Sequence, residues 1–582
     1  MINRFVRRGV PALALVPLLL AGPAAVRPDP AAADSAPPAR TPVQLLALND
    51  LHGNLLPVEG AAGRITHRGP AIQAGGLAQL ATLLDEARAG RPNTLTVGAG
   101  DVIGGSPLLS ALFHDEPTVD ALEELGLGVT SVGNHEFDEG PAELRRMVDG
   151  GCHPEDGCAP DAPYQGADFA YLAANVTERG RTTPLLKPYT VKTLPNGQRI
   201  GFIGLVTKDA PGAINAAMIR DVEFHDELPA IERYSRELTR QGVRAQVVLL
   251  HEGEAVSGQA GAGCDDGSPG AGLGGRIKAL AEQAVPAVDL IVSGHSHSSY
   301  ECTVNDPSGH RRLVTQADSF GRSFTDLRFE LNATGDVVRS TVRAEYRPVP
   351  VGTAQQPAMA KLIETWRTRS EDVANRVVGY ISADIPGRGS TLPETPLGSF
   401  ITDAQVAAGK AHGADLALMN PGSMRADLVF QDGGAVTYAD AYRVQPFEGA
   451  LWVLPVTGAQ LITALQQQFT GVNADSPRFL QLSEELNYSV DMSRTGADRL
   501  LADTVRINGQ PVDRDATYKV VLNEFLANGG NGFTVFGEIT AREGGEVTEL
   551  EALVDYLQAT TTTSTPAAPP APGRITFVSG RS

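Results

Sequence analysis

Beyond its first 25 residues this 582-residue chain lacks any long apolar run, so no later segment is a candidate to cross a bilayer as a helix. Basic residues are in deficit: 48 Lys and Arg against 68 Asp and Glu leave a net charge of −20. A surface of that sign repels nucleic acid and anionic lipid, which argues against a polymer-binding or membrane-surface role. Aromatic residues make up only 5% of the chain, and there are four cysteines. So few exclude a disulfide-dense scaffold, and the absence of a Cys-x-x-Cys pair argues against thiolate zinc. Three pairings of Cys152, Cys158, Cys264 and Cys302 are open. Neighbour-to-neighbour pairing, 152 with 158 and 264 with 302, is the expected one in an oxidising compartment.

What is present begins with a leader. Arg4, Arg7 and Arg8 form a basic head, Val10–Ala25 an apolar stretch, and Ala31-Ala32-Ala33 a small-residue cleavage site. A membrane anchor is the alternative, but Pro11, Pro17 and Pro23 interrupt a stretch that is short for a span. The expectation is a signal peptide over 1–33, a secreted or periplasmic protein, and no membrane partner once the leader is removed. The remaining length exceeds what a single core organises, so two or more domains are expected.

Five polar motifs each follow an apolar run. They are Asp50-Leu51-His52-Gly53-Asn54, Gly98-Ala99-Gly100-Asp101, Gly133-Asn134-His135-Glu136-Phe137-Asp138, His251, and Gly294-His295-Ser296-His297. The runs before them, Val43–Leu48, Thr94–Val97, Val129–Val132, Ala245–Leu250 and Val288–Val292, are short and rich in Val, Leu and Ile, as buried strands are. Carboxylate, imidazole and amide groups at the carboxyl ends of neighbouring strands converge on one crevice. Divalent metals of the zinc or manganese class take such ligands at about 2.0–2.2 Å. Asp50-x-His52 offers two ligands from one turn if its backbone stays extended, and Asp101 has two oxygens with which to bridge ions about 3.5–4 Å apart. A lone loop histidine is ordinarily a surface or core residue, so it is the ordered set that carries the assignment.

Helical spacing marks Gly76–Ala89 and Thr118–Leu125, and Asn196-Gly197 and Asn332–Asp336 read as turns. Pro348, Pro350 and Pro357 mark a boundary, followed by a polar helix near Ala358–Ala374. Helices Pro396–Gly409 and Gly458–Phe469 and strands Ala414–Leu418, Leu451–Val456 and Tyr518–Leu522 then alternate. The Thr/Pro/Ala-rich end reads as a mobile tail.

These motifs resemble the calcineurin-like metallophosphatases and, more narrowly, the 5′-nucleotidase family, over about residues 43–555. The resemblance implies an α/β protein whose first domain, over 42–345, is a four-layer α/β/β/α metallophosphatase. A linker and hinge helix over 346–376, a smaller α/β nucleotide-binding domain over 377–558 and a flexible tail over 559–582 complete the expectation. It implies two divalent ions, zinc or manganese. One would be held by Asp50, His52, Asp101 and His297, the other by Asp101, Asn134, His251 and His295. In such sites a metal-held hydroxide attacks phosphorus in line. His135 faces the phosphate, with Asp138 orienting its ring; a helix N-cap before Glu139–Val148 is the other reading of Asp138. Related cyclic phosphodiesterases tend to carry Asn at the position of Asp138.

In the second domain, Asn420-Pro421-Gly422-Ser423-Met424-Arg425 resembles the family's Asn-x-Gly-x-x-Arg segment. Asn420 would contact the base, Gly422 allow close approach and Arg425 hold phosphate, with Arg388 as an upstream phosphate ligand. Phe447 and Phe525 match the pair that sandwiches the nucleobase. Asn531 stands where the family usually has an Asp that accepts both ribose hydroxyls, and an amide offers one acceptor oxygen and a donor instead. The expected activity is hydrolysis of nucleoside 5′-monophosphates, with a small nucleotide as partner and no nucleic acid polymer. The rivals are 2′,3′-cyclic phosphodiesterase/3′-nucleotidase, UDP-sugar or diphosphate hydrolase, and a non-catalytic nucleotide receptor.

Overall fold

A computed structural model describes residues 40–158, 163–215, 218–256, 262–264, 272–388, 390, 392–447 and 449–579. The leader expected over 1–33 lies outside them. All but the first two residues of the strand Thr41–Leu48 are buried, so both faces of its sheet are covered. It sits third in a six-stranded sheet, after Arg343–Pro348 and Ser323–Leu331 and before Thr94–Ala99, Leu127–Ser131 and Ala170–Leu172. The last four strands run parallel. A second, seven-stranded sheet holds Arg199–Val206, Ala245–His251, Leu290–Ser293 and Arg311–Ala317 as parallel neighbours.

The period of two along each strand decides what lies between the sheets. Val43, Leu45, Ala47, Val97 and Val129 pack against Phe202, Val247, Leu249 and Val292. The alternate residues Leu46 and Leu48 face outward, under helices Leu77–Arg88, Glu116–Glu124 and Gly140–Asp149. On the far side, Ile203, Leu205, Val248 and Leu250 lie beneath Glu227–Arg240 and Gly275–Gln283. The layers are therefore α/β/β/α, as expected, and both sheets aim the carboxyl ends of their parallel strands at one rim. Both expected disulfides, Cys152–Cys158 and Cys264–Cys302, are present.

The helix Pro357–Ala374 is capped by Gln356, whose side-chain oxygen accepts the Met359 N–H at 2.7 Å. It docks on the first domain through Met359 and Ile363, with Trp366 donating to Asp120 at 3.2 Å. Beyond it lies a five-stranded sheet ordered Gln481–Leu482, Leu416–Met419, Thr517–Asn523, Ala450–Thr457 and Glu543–Thr548. One face packs on Gly458–Gln467, the other on Pro396–Gly409 and Glu549–Thr560. Among the described residues no helix is long and apolar enough to cross a membrane.

The end of the chain corrects the expectation of a flexible tail over 559–582. Ala567 bridges Ile381, and Ile575–Ser579 forms a strand parallel to Leu486–Asp491. Ile575 is buried in the second domain's core and Phe577 packs against it. Arg574 grips Asp403 with two hydrogen bonds of 2.7 and 2.8 Å, and Glu394 accepts the N–H groups of Gly573 and Ile575. Composition misled because strand pairing is a backbone property, and two alternate apolar residues suffice to bury a strand's inner face. A chain ending at residue 572 is expected to lose about 2–5 kcal/mol of stability, the scale of one buried Ile plus a charge-assisted pair. Urea unfolding reads this directly, and an unchanged midpoint would show the segment to be dispensable.

Candidate metal centre and substrate cleft

The residues expected to hold metal meet at the shared rim of the two sheets. Asp50 and His52 follow Thr41–Leu48, Asp101 follows Thr94–Ala99, and Asn134 follows Leu127–Ser131. His251 ends its own strand, and His295 and His297 follow Leu290–Ser293. The turns that present them are not extended. Asp50, His52, Asp101, His295 and His297 have φ of 49°, 48°, 49°, 76° and 54°. That corrects the expectation of an extended Asp50-x-His52: the two side chains converge because the backbone reverses hand at each. Left-handed backbone costs a non-glycine residue roughly 1–2 kcal/mol, so the surrounding contacts must enforce it.

Those contacts are specific. Both Asp50 oxygens accept the His295 N–H at 3.0 Å, and Asn49 donates to Asp50 at 2.6 Å. Glu136, buried beneath the loops, accepts the N–H groups of Asp101 at 3.0 Å, Val102 at 2.8 Å and Gly133. One carboxylate thus ties the Asp101 turn to the Asn134 turn. Glu136 stands inside one of the sequence motifs, yet its role there was not legible. A Cβ on Gly133 would stand 2.2 Å from an Asp101 oxygen, so only glycine fits there.

Asp101 lies between two clusters. Asp50, His52 and His297 each offer an atom within 4.8 Å of the others, as do Asp101, His251 and His295. The Nε2 atoms of His52 and His297 are 3.0 Å apart, and Asp101 Oδ2 is 3.6 Å from His52 Nε2 and 3.0 Å from His251 Nε2. His295 Nδ1 meets Asn134 Oδ1 at 2.9 Å. Nδ1 of His52 faces the Gly104 carbonyl at 2.9 Å and Nδ1 of His251 the Ala99 carbonyl at 2.8 Å, which leaves each Nε2 for a metal.

Electrostatics point the same way. Burial, then the neighbouring imidazole and guanidinium charges, hold His52 and His297 well below the ordinary histidine range, and burial with His251 lowers His295 to about 3. These rings are neutral, as ligands must be. Burial opposes ionisation of Asp101, yet His251, His135 and His52 together pull it well below the carboxylate range. His251 is the exception: burial opposes its charge, but Asp101 and Asp50 raise it to about 10, so without a cation its Nε2, 3.0 Å from Asp101 Oδ2, keeps the proton that a metal would replace. The donor set fits a pair of divalent cations.

His135 Nδ1 lies 2.8 Å from Asp138 Oδ2. The N-cap reading of Asp138 does not hold: the helix runs Gly140–Asp149, and its N-cap position is Glu139, whose side chain makes no capping bond. Burial disfavours a charged His135, but Asp138 and Asp101 outweigh it and raise the imidazole.

Second-domain residues reach this centre. Phe447 stacks on His135 at 5.7 Å with rings 19° apart, and the Arg425 guanidinium lies 5.6 Å over Phe447. Arg425 Nη2 is buried without a partner, a donor awaiting an anion. Arg388 is exposed, and the nearby guanidiniums of Arg425, Arg322 and Arg478 lower its pKa, so cations gather at the cleft. Arg478 carries no motif and was missed.

Asn420 accepts Asn523 Nδ2 at 3.0 Å and Ser423 Oγ at 3.1 Å, beside Gly422. Phe525 lies against the Gly530 backbone, and Asn531, at φ 53°, keeps a buried side-chain oxygen without a partner. Behind Asn420 sits Glu549, 2% exposed, bonded to Asn523 and Ser423 and, at 3.2 Å, to Gln445.

Known proteins share this arrangement. Residues 43–299 match the calcineurin-like phosphoesterase family, and residues 377–538 match the 5′-nucleotidase C-terminal domain. The chain is 34% identical to cell wall protein Lmo0130 of Listeria monocytogenes over 85% of its own length and 64% of the relative's. It is 30% identical to endonuclease YhcR of Bacillus subtilis over 90% of its length and 40% of that protein. It therefore spans only part of these relatives. A crystal structure of a 5′-nucleotidase precursor from Thermus thermophilus superposes with a TM-score of 0.75 at 27% identity, covering 93% of this chain and 100% of that one.

Burial raises Glu549 to about 8 against the hydrogen bonds from Asn523 and Ser423. The folded protein thus keeps a proton that the unfolded chain releases above about pH 4.5, and stability falls as pH rises toward 8, by about 1.4 kcal/mol per unit at most. Glu549→Gln is expected to flatten that slope and raise the thermal midpoint at pH 8. Parallel pH profiles of the two proteins would refute it.

Proposed function

The chain belongs to the family that joins a calcineurin-like phosphoesterase domain to a 5′-nucleotidase C-terminal domain, and on that premise we propose that it hydrolyses nucleoside 5′-monophosphates to nucleoside and phosphate. The family uses a dinuclear metal centre, and the candidate clusters are in place. In this reading Asp50, His52, Asp101 and His297 hold one ion, and Asp101, Asn134, His251 and His295 the other. Zinc or manganese bound there supplies an activated water and spreads the charge of the phosphoryl oxygens.

The rest is the chain's own work. His135, kept cationic by Asp138, donates to a phosphoryl oxygen as charge builds on it. Arg425, with Arg388 nearby, grips the phosphate as a planar fork. Phe447 and Phe525 stack the base, Asn420 contacts its edge, Gly422 allows the approach, and Asn531 meets the ribose. Secretion through the 1–33 leader suits the two disulfides.

The observation that carries this reading is the stack of Phe447 on His135 with Arg425 above it: an aromatic face and a guanidinium from the second domain stand at the candidate centre, as binding of a base and a phosphate there would require. In this reading substrate exchange requires the domains to part about the helix Pro357–Ala374, breaking this stack and the Glu59–Arg443 pair at 2.9 Å. One second reading has support: the relative named an endonuclease suggests phosphodiester substrates. The net charge of −20 opposes a polymer and favours small diesters such as 2′,3′-cyclic nucleotides.

Phosphate release from AMP, ADP, UDP-glucose, 2′,3′-cyclic AMP and 3′-AMP separates the two. AMP is expected to have the highest kcat/KM; a cyclic substrate ahead of AMP would install the second reading. His135→Ala is expected to lower kcat about 10²- to 10⁴-fold with metal content unchanged. Activity surviving that change would remove His135 from the chemistry.

A further inference from the structure

Away from the metal centre, the second domain buries a carboxyl group that the proposed reaction does not use. Thr548 starts the helix Glu549–Thr560 with a reciprocal cap: its hydroxyl accepts the Glu551 N–H at 3.1 Å, and the Glu551 carboxylate accepts the Thr548 N–H at 2.9 Å. That cap fixes the first turn, and Glu549, the first residue of the helix, is buried there. We propose that Glu549 is a positioning residue for the nucleobase: through Ser423, Asn523 and Gln445 it sets the segments that carry Asn420, Phe525 and Phe447, a role that rests on the base-binding reading above.

Each contact leads to one of those residues. Ser423 Oγ bonds Glu549 and reaches Asn420 Oδ1 at 3.1 Å. Asn523 also bonds Glu549, and its Nδ2 reaches Ser423 Oγ at 2.7 Å and Asn420 Oδ1 at 3.0 Å. The Oδ1 of the same Asn523 accepts the Leu526 N–H at 2.9 Å, capping the short helix Glu524–Ala527 that bears Phe525. Gln445 Nε2 donates to Glu549 at 3.2 Å just before Phe447, and the Glu549 N–H donates to the Gly449 carbonyl at 3.0 Å just after it. Ser423, Asn523 and Gln445 are all buried, so a bond lost here is not made good by bulk water.

The same bonds decide which end of the Asn420 amide is offered. Its Oδ1 takes two donors, which leaves Nδ2 to donate. That nitrogen lies on the Gly422 side, 3.2 Å from where a Cβ on Gly422 would stand. The base therefore meets Asn420 with an acceptor, a ring nitrogen or a carbonyl oxygen.

A proton on Glu549 holds this orientation. Ser423 has a single hydroxyl hydrogen. A neutral Glu549 donates to Ser423, whose own hydrogen then goes to Asn420 Oδ1. An ionised Glu549 only accepts; the Ser423 hydrogen turns to it, and Asn420 keeps Asn523 alone. Burial raises Glu549 to about 8 against the hydrogen bonds from Asn523 and Ser423. The groups facing it among the described residues, Ser423, Asn523 and Gln445, are uncharged, and Glu551 of its own helix is engaged with Thr548.

The test is kcat/KM for AMP divided by kcat/KM for ribose 5-phosphate, which carries the same phosphate and no base, on the full chain loaded with manganese. Changes at the metals or the phosphate cancel in this ratio. Glu549→Leu, which cannot hydrogen-bond, is expected to lower it about 5- to 20-fold through a higher KM for AMP. Ser423→Ala is expected to lower it in the same direction, and decides the matter where the leucine variant does not fold. As pH rises through 8 the ratio of the unaltered protein is expected to fall, while Glu549→Gln, whose amide keeps the donor of the neutral acid, holds it level. Parallel pH profiles would overturn the part assigned to the proton. A ratio unchanged in both Glu549→Leu and Ser423→Ala would overturn the positioning role, as would equal losses on the two substrates, the mark of a carboxyl that only holds the core. Equal kcat/KM for the two substrates in the unaltered protein would instead remove the base-binding reading itself.

Discussion

Asp101 is the group around which this protein is arranged. Its carboxylate is 1% exposed, and three imidazoles stand around it. An isolated ion in such a place costs several kcal/mol, and removing its partners would leave that cost uncompensated. The chain compensates it with positive charge on one side and backbone N–H donors on the other: His135 N–H reaches Asp101 Oδ1 at 2.8 Å, and Glu136 fixes the turn from beneath. The three imidazoles around Asp101 come from three different strand ends, so the sandwich of two sheets exists, in functional terms, to bring these ends to one rim.

The second domain adds what the rim lacks. The centre is rich in carboxylates and imidazoles; Arg425 and Arg388 add guanidinium cations, and Phe447 supplies a flat apolar face. Arg425 Nη2 is buried and makes no hydrogen bond, while Arg388 is exposed. The buried chain from Asn420 through Asn523 and Ser423 to Glu549 shows how far this preparation extends: an amide at the cleft is aimed by a carboxyl group in the core.

Much of this was legible in the residues. Parallel strands covered on both faces are nearly continuous apolar runs, so the positions of Asp50, Asp101, Asn134, His251 and His295 relative to strand ends were readable. The hand of the turns was not, since nothing in an Asp or His signals a positive φ when neighbours enforce it. Asp138 had two readings because an Asp before a helix is a common cap; Gly140 and Pro141 start the helix later and free it. Arg478 and Glu549 left no trace, because an arginine in a loop and a glutamate at a helix start are the commonest of residues. The C-terminal strand escaped for a related reason: its two inward apolar side chains, Ile575 and Phe577, are too few to register as a pattern.

The strand Thr41–Leu48 lies in the interior of its sheet, bonded on one side to Thr94–Ala99 and on the other to Ser323–Leu331. Gln44 and Asp326, hydrogen-bonded across that seam, are 282 residues apart. A ribosome needs on the order of tens of seconds to make that much chain. Throughout that interval the nascent strand presents an open, apolar edge, the geometry most prone to wrong pairing. Closing the sheet late, across so wide a loop, makes this a slow-folding topology whose yield depends on what shields that edge until its partner has been synthesised.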